Sequence, residues 1–313
     1  MVVKLRSWDG TDDTTAIQRL ASRLWPSGLH PGGLGWAAAG GRLADLIVLA
    51  GRGAPAGWAG VDRQHSDGDG ELFVQGDPAR PEVARALLEW GLSAGGDELT
   101  IAVAHGDTAL TDAVEAAGFA LDPLAGPLVG PLRGMFHPAV PTRPQLPPGY
   151  RVRSVRDGEL EARVECHREA WRPAAMPFAP EVLAKIPPDA TSRFTMDFYE
   201  RVRKTWLYDQ SLDLVVQAPD GQLVACCIVW CDPASAVAEI EPLGVVPTHR
   251  RLGLARGLCM EAATRVHSRG GHTVYINSSP DPAYPAPHAT YAAAGFQLVE
   301  RGRAFRRRAA SAL

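Results

Sequence analysis

Residues 243–255, Leu-Gly-Val-Val-Pro-Thr-His-Arg-Arg-Leu-Gly-Leu-Ala, combine an apolar strand, a proline turn and a helix start opened by glycine. That succession of residue types can hold a pyrophosphate. A helix N-terminus exposes about four unpaired amide N–H groups and roughly half a positive charge, so a polyanion docks there wherever side chains leave room. Gly253 and Ala255, beside Leu252 and Leu254, are the positions that leave that room, and Arg250 and Arg251 add guanidinium donors at the same rim. Upstream on the same strand stand Glu239 and Glu241, two positions apart and therefore on one face. Two acids in a strand this apolar call for a chemical reason.

The elements that must position these groups follow from periodicity. The strand is expected over Ala236–Val246 and the helix over Leu252–Ser268, with Leu254, Leu258, Ala262 and Val266 at four-residue spacing and Gly270-Gly271 as its stop. Before them come strand Tyr150–Val155, helix Asp157–Ala170, a long Pro- and Phe-rich connection and helix Phe194–Lys204. A hairpin follows, Leu212–Gln217 and Gln222–Trp230 around an Asp-Gly turn. Strand Thr273–Asn277, helix Ala286–Ala294 and strand Gln297–Phe305 complete the half. Strands alternating with helices predict an α/β layer fold.

The first half repeats the order. Strands Leu46–Ala50, Gly57–Val61 and Glu71–Gln75, helix Glu82–Leu92, strand Leu99–Ala104 and helix Ala109–Ala117 parallel it, and Ala116-Ala117-Gly118-Phe119 matches Ala293-Ala294-Gly295-Phe296. The turn that corresponds to the cradle, residues 76–82, instead holds Asp77, Pro78, Pro81 and Glu82, where acids would repel a pyrophosphate. Five prolines between Pro138 and Pro148 predict an extended linker. The expected division is a degenerate, non-catalytic domain at 1–137, a linker at 138–149 and a catalytic domain at 150–313.

Composition sets outer limits. With 313 residues, 46% hydrophobic and 21% charged, the chain can form two domains of ordinary size. A net charge of −3 argues against nucleic acid as the main partner and favours a cationic or neutral small molecule. Five cysteines without a CxxC pair or a Cys/His cluster of zinc spacing read as buried thiols, and no metal is expected. No stretch has the apolar length of a membrane span and the first residues lack the apolar core of a signal peptide, so a cytoplasmic location is expected.

The element order, taken with Leu243-x-Val245-x-Pro247-x-x-Arg250-x-x-Gly253-x-Ala255, resembles the GNAT superfamily of acyl-CoA-dependent N-acyltransferases. Their main motif is an Arg/Gln-x-x-Gly-x-Gly/Ala loop after the fourth strand. Tyr291-x-x-x-Gly295-Phe296, after the fifth strand, is the second point of likeness. The resemblance implies two tandem GNAT-like domains, each a mixed, mostly antiparallel sheet flanked by helices, with acetyl-CoA as cosubstrate. It implies a fourth strand that splays from the fifth, so that Leu243, Gly244, Val245 and Val246 pair with the pantetheine arm, while Arg250 to Ala255 receive the pyrophosphate.

Acyl transfer needs a neutral amine, and amines of pKa about 8–10 are mostly charged at neutral pH, so a nearby base helps. Glu239, six residues before Val245, resembles the family's base most closely, with Glu241 second; a solvated face or a carboxylate that only binds substrate charge is the alternative. Tyr291 resembles the general acid, or else packs as a buried tyrosine; its counterpart Val114 has no proton to give. Many family members carry Asn seven residues before that tyrosine. Here the position is Tyr284, and Asn277 either replaces the missing amide or serves a turn.

Phe178, Trp206, Tyr208 and Asp209 are the expected acceptor contacts, with core or cap roles as the alternative. The five arginines of Arg301–Arg308 are expected at a solvated strand end. The tandem form resembles enzymes of the mycothiol synthase type and antibiotic acetyltransferases such as that of capreomycin. It implies acetylation of a cationic metabolite amine, with a cysteinyl amine, a protein lysine or non-catalytic CoA sensing as alternatives, in a monomer or homodimer.

Overall fold

Apolar alternation sets which faces are buried, and two seven-stranded mixed sheets result. The computed structural model describes residues 4–8, 10–41, 46–50, 55–62, 70–96, 98–122 and 132–308. The chain divides into one unit of residues 1–133 with 300–313 and a second of residues 134–299.

The first unit runs β1 (Lys4–Ser7), α1 (Gly10–Leu24), α2 (Pro31–Ala39), β2 (Leu46–Ala50), β3 (Pro55–Asp62), β4 (Gly70–Gly76), α3 (Pro81–Gly95), β5 (Leu99–Ala104), α4 (Thr108–Ala116) and β6 (Ala120–Leu121). Strand β7 (Arg133–Pro138) then opens the second unit, followed by β8 (Arg151–Ser154), α5 (Leu160–Ala170), α6 (Pro180–Leu183), α7 (Met196–Arg203), β9 (Asp213–Gln217), β10 (Leu223–Asp232), β11 (Val237–Val245), α8 (Leu254–Ser268), β12 (Thr273–Ile276), α9 (Ala286–Ala293) and β13 (Gln297–Glu300), after which β14 (Gly302–Arg307) returns to the first unit. Among the described residues no helix is long and apolar enough to cross a membrane.

Strand order is β1-β2-β3-β4-β5-β14-β6 in one sheet and β13-β7-β12-β11-β10-β9-β8 in the other. Each sheet has one parallel step, β4 with β5 and β11 with β12, and antiparallel neighbours elsewhere among the described pairs. This is the two-sheet, helix-flanked α/β fold expected.

Three expectations are corrected here. The single strand Gln297–Phe305 is two strands that belong to different sheets, so β14 completes the first unit while β7 joins the second. The limits 1–137 and 150–313 therefore differ from the packed units at both exchanged strands. The cause lies at 301–302. Arg301 is a buried tie, stacked 4.6 Å over Trp25 and donating to the Pro26 and Gly28 carbonyls, so it is no solvated strand end. A Cβ on Gly302 would lie 2.2 Å from the Val103 carbonyl oxygen, so only glycine lets β14 lie this close to β5.

The Pro-rich segment is extended but not loose. Thr142 and Thr264 exchange hydrogen bonds at 2.9 Å, and Leu146 covers Gly257 of α8. Between sheet and helix, α8 buries Leu254, Leu258, Cys259, Ala262 and Val266 against Ala238, Ile240 and Val274, forming the core under the site. Of the five free thiols, Cys166, Cys226, Cys227 and Cys259 are buried and Cys231 is half-buried.

Candidate functional site

Strand β11 carries the site because it loses a partner halfway. Val237, Ala238 and Glu239 pair with Thr273, Val274 and Tyr275 of β12, and the pairing ends there. From Ile240 to Val245 that edge of β11 has no β12 residue in register. Val246 N–H bonds the Val224 carbonyl across β10, and strand alternation turns the Leu243 and Val245 amides toward the opposite, splayed edge.

Glu239 stands at the fork. It is 3% exposed and lies in a cross-sheet row with Trp230 of β10, Tyr275 of β12 and Phe136 of β7, partners in consecutive register. Tyr275 and Phe136 rings meet at 5.0 Å, and the Tyr275 ring also covers Gly134, where a Cβ would come within 2.0 Å of it. Register thus places a buried acid in a row of aromatic residues at the point where the two strands part. The period-two relation to Glu241 ends at a bulge, because Val229 faces Ile240 and Cys227 faces Leu243, which leaves Glu241 and Pro242 opposite Ile228 alone. The Glu241 carbonyl accepts the Trp230 indole N–H at 2.6 Å.

The cradle forms at the α8 N-terminus. Gly253 sits at the N-cap with φ +77° and no side-chain cap, so no side chain occupies the first amides of the helix. Arg251 also takes a left-handed φ of +66°, and residues 251–253 are exposed. Leu254 is buried beneath them and Ala255 half-buried. Successive turns of this kind aim backbone N–H groups at one concavity. Arg250 differs from Arg251. Its guanidinium donates to the carbonyls of Val245 at 3.2 Å, Ala170 at 3.2 Å and Ala175 at 2.5 Å, and desolvation holds its pKa below the ordinary arginine value. It ties the segment after α5 to the end of β11.

The segment after Arg250's anchor reaches the β12–α9 loop. Phe178 packs on Tyr284 at 4.7 Å, and the Ala179 N–H bonds the Ala283 carbonyl at 2.9 Å. Burial pushes the Tyr284 phenol up to about 12, against the pull of nearby Arg250. Asn277 is exposed just past β12. Tyr291 on α9 is buried, and its pKa lies well above the tyrosine value, first through desolvation and then through Cys259 and Glu241. It is therefore a protonated phenol within the field of Glu241.

The expected acceptor residues divide. Trp206 is half-buried. Asp209 caps a short turn, accepting from Ser211 N at 2.8 Å and facing Arg269 at 3.5 Å, which makes it a capping residue. Tyr208 joins a buried network that sequence reasoning missed. Arg163 and Asp213, both 0% exposed, pair at 2.8 Å, and Asp213 also accepts from Tyr199 at 2.6 Å and Tyr208 at 3.1 Å. Tyr208 meets the Trp230 ring edge-on at 6.4 Å. Burial raises both phenols above the tyrosine value, with Asp213 adding to it. Trp230, Tyr275 and Phe136 were also missed; only strand register brings them beside Glu239, and no local pattern announces it.

The first unit keeps the fork without its contents. Strand β4 pairs with β5 through Gly70, Glu71 and Leu72, then parts from it, and buried Leu72 and Ile101 hold the places of Glu239 and Tyr275. Its β3–β4 register has no bulge. The α3 start has Pro81 at its first positions, and Glu82, whose pKa its own backbone N–H lowers, keeps a charge there. Val83 fills the space beside Gly57 and Gly76.

Residues 179–296 match the model of the acetyltransferase (GNAT) family. No curated protein matches the sequence. Among solved structures, a GCN5-related N-acetyltransferase from Sphaerobacter thermophilus is similar at 18% identity and TM-score 0.53, over 98% of this chain and 97% of that one. A tandem GNAT protein from the clavulanic acid biosynthesis pathway is similar at 16% identity and TM-score 0.54, over the full length of both chains. FemX is similar at 11% identity and TM-score 0.56, over 97% of this chain and 96% of that one. At these identities the likeness is one of fold, and it extends the tandem architecture across the whole chain.

Proposed function

We propose, with residues 179–296 matching the acetyltransferase (GNAT) family as the premise, that the chain is an acetyl-CoA-dependent N-acetyltransferase whose second unit is catalytic. The observation that carries the reading is the fork at Glu239: an enclosed acid where β11 leaves β12, with an uncapped helix start at the end of the same strand. The fit to acetyl-CoA rests on those features. The open amides of α8 with Arg251 suit the pyrophosphate, and the Val245 N–H, on the splayed side of the Leu243–Val246 stretch, suits a pantetheine amide.

Acetyl-CoA supplies the activated acyl group, and the chain supplies the rest. Glu239 takes the proton of the acceptor ammonium, with Glu241 as the second candidate base. The Leu243 N–H, turned to the splayed edge just past the bulge, donates to the oxyanion of the tetrahedral intermediate. Tyr291 holds the proton that the departing thiolate needs; burial keeps it protonated across the working pH range. Transfer is direct, through a ternary complex. Tyr284 and Phe178 border the pantetheine path in place of an asparagine.

The acceptor is a primary amine on a small cationic metabolite, and capreomycin-type peptides and aminoglycosides, hence a resistance role, are the first classes to assay. A cysteinyl amine of the mycothiol precursor type is the second reading. Thiol release from acetyl-CoA across an amine library tests the proposal: turnover on a small cationic amine supports it, turnover on the cysteinyl amine alone reverses the order, and CoA binding without transfer to any amine overturns it. The first unit is the scaffold, since Leu72 and an acid-bearing helix start replace the base and the open cradle.

A further inference from the structure

Trp230 is the largest fully buried side chain beside the fork, and neither proton transfer nor cofactor binding uses it. Its indole N–H, the ring's one donor, goes to the carbonyl of Glu241 at 2.6 Å. That carbonyl belongs to the bulge, where Glu241 and Pro242 face the single residue Ile228, so the β10 ladder does not fix it as it fixes its neighbours. Pro242 contributes no N–H of its own. The indole thus holds the bulge from the side, and the residue that follows Pro242 is Leu243, whose amide faces the splayed edge.

The indole is itself held. Tyr208 packs on it edge-on at 6.4 Å, and the Tyr208 hydroxyl bonds Asp213 at 3.1 Å, whose second oxygen pairs with Arg163 at 2.8 Å in a fully buried ion pair. A buried pair of this kind is costly to break and so gives a fixed anchor. The line Arg163, Asp213, Tyr208, Trp230, Glu241 carbonyl runs from α5 across β9 and β10 to the reacting edge of β11.

We infer that Trp230 is a positioning residue for acetyl transfer: by holding the Glu241 carbonyl it sets the direction of the Leu243 amide against the tetrahedral intermediate. The inference rests on the acetyltransferase reading. A donor a fraction of an ångström out of place loses most of its value in the transition state while ground-state cofactor binding, made elsewhere along the strand and cradle, persists.

The test is Trp230→Phe, which keeps a buried ring and removes the N–H. At saturating amine and acetyl-CoA, kcat should fall about tenfold or more, a fraction of the loss on deleting an oxyanion donor outright. KM for acetyl-CoA, and the Kd for CoA by calorimetry, should stay within about twofold, so that the loss falls on kcat alone. A general loosening of the fold would instead raise KM and Kd together with the loss of rate, and that result overturns the inference, as does an unchanged kcat in a folded variant. An unmodified protein that binds CoA yet acetylates no amine overturns the acetyltransferase reading first, and this inference with it. Should Trp230→Phe not fold, the Trp230 Nε1–H resonance in the unmodified protein decides. A downfield, exchange-protected signal that moves when a non-transferable acetyl-CoA analogue binds supports the role; one indifferent to the analogue overturns it.

Discussion

At the scale of the residue, the two acids separate by environment. Glu239 is buried, in register between Trp230 and Tyr275, while Glu241 sits half-buried in the bulge near Tyr291. Glu239→Gln should therefore lower kcat by about 10²- to 10⁴-fold, with rate recovering at high pH as free amine accumulates, and Glu241→Gln by far less. The reverse order in the pH-rate profiles would make Glu241 the base. Buried protons also set an alkaline limit to stability. Desolvation pushes the Cys259 thiol up to about 12 from an ordinary value of 9.0, and burial raises Tyr291 above 10.0. A group whose folded pKa is raised contributes stability fully below its unfolded pKa and loses it as pH rises toward the folded one. The melting midpoint should thus hold at pH 7–8 and fall from about pH 9 upward; a flat midpoint to pH 11 would contradict these burials. Glu239 was legible because an acid in an apolar strand is conspicuous. Trp230 and Asp213 were not, since their meaning depends on partners that only register supplies.

At the scale of the element, the α8 start and the segment after α5 do different work. Gly253 has open space where a Cβ would stand, with φ +77°. Gly253→Asp tests the cradle without wrecking the helix, because aspartate visits the left-handed region more readily than most residues and Gly and Asp differ at an N-cap by only about a few tenths of a kcal/mol. The melting midpoint should change little while KM for acetyl-CoA rises more than tenfold, through repulsion of the pyrophosphate. Equal KM in calorimetry-checked, folded protein would remove the cradle from the site. Arg250 was expected at the phosphates, yet its donors reach the Val245, Ala170 and Ala175 carbonyls. Sequence spacing located the loop, because glycine and proline punctuate it. It did not reveal which arginine turns inward, a choice made by carbonyls some 75 and 80 positions away in the chain.

At the scale of the molecule, strand exchange is the feature that local pattern hid. The helices and strands of the second half follow from periodicity, and the Ala-Ala-Gly-Phe pair announces the repeat; nothing in Gln297–Phe305 marks which sheet receives its end. Arg301 and Gly302 decide it, the first by its bonds to Pro26 and Gly28, the second by the absence of a Cβ. Strand β14 lies between β5 and β6, pairing Gly302 with Ala104 through Arg307 with Leu99 and meeting Leu121 and Ala120 on its other side. Gly302→Val places carbon atoms inside the van der Waals radius of the Val103 carbonyl, and a backbone contact cannot yield as a flexible side chain can. The substitution should detach the start of β14, lower the melting midpoint by several degrees and open the amides of β5 and β6 to hydrogen exchange. Amides of β11 and β12 belong to the other sheet and should keep their protection. Peptide-resolved exchange separates the outcomes: loss confined to β5, β6 and β14 fits a strand that serves the first unit alone, whereas equal loss in β11 and β12 would mean that both sheets depend on that strand for their order.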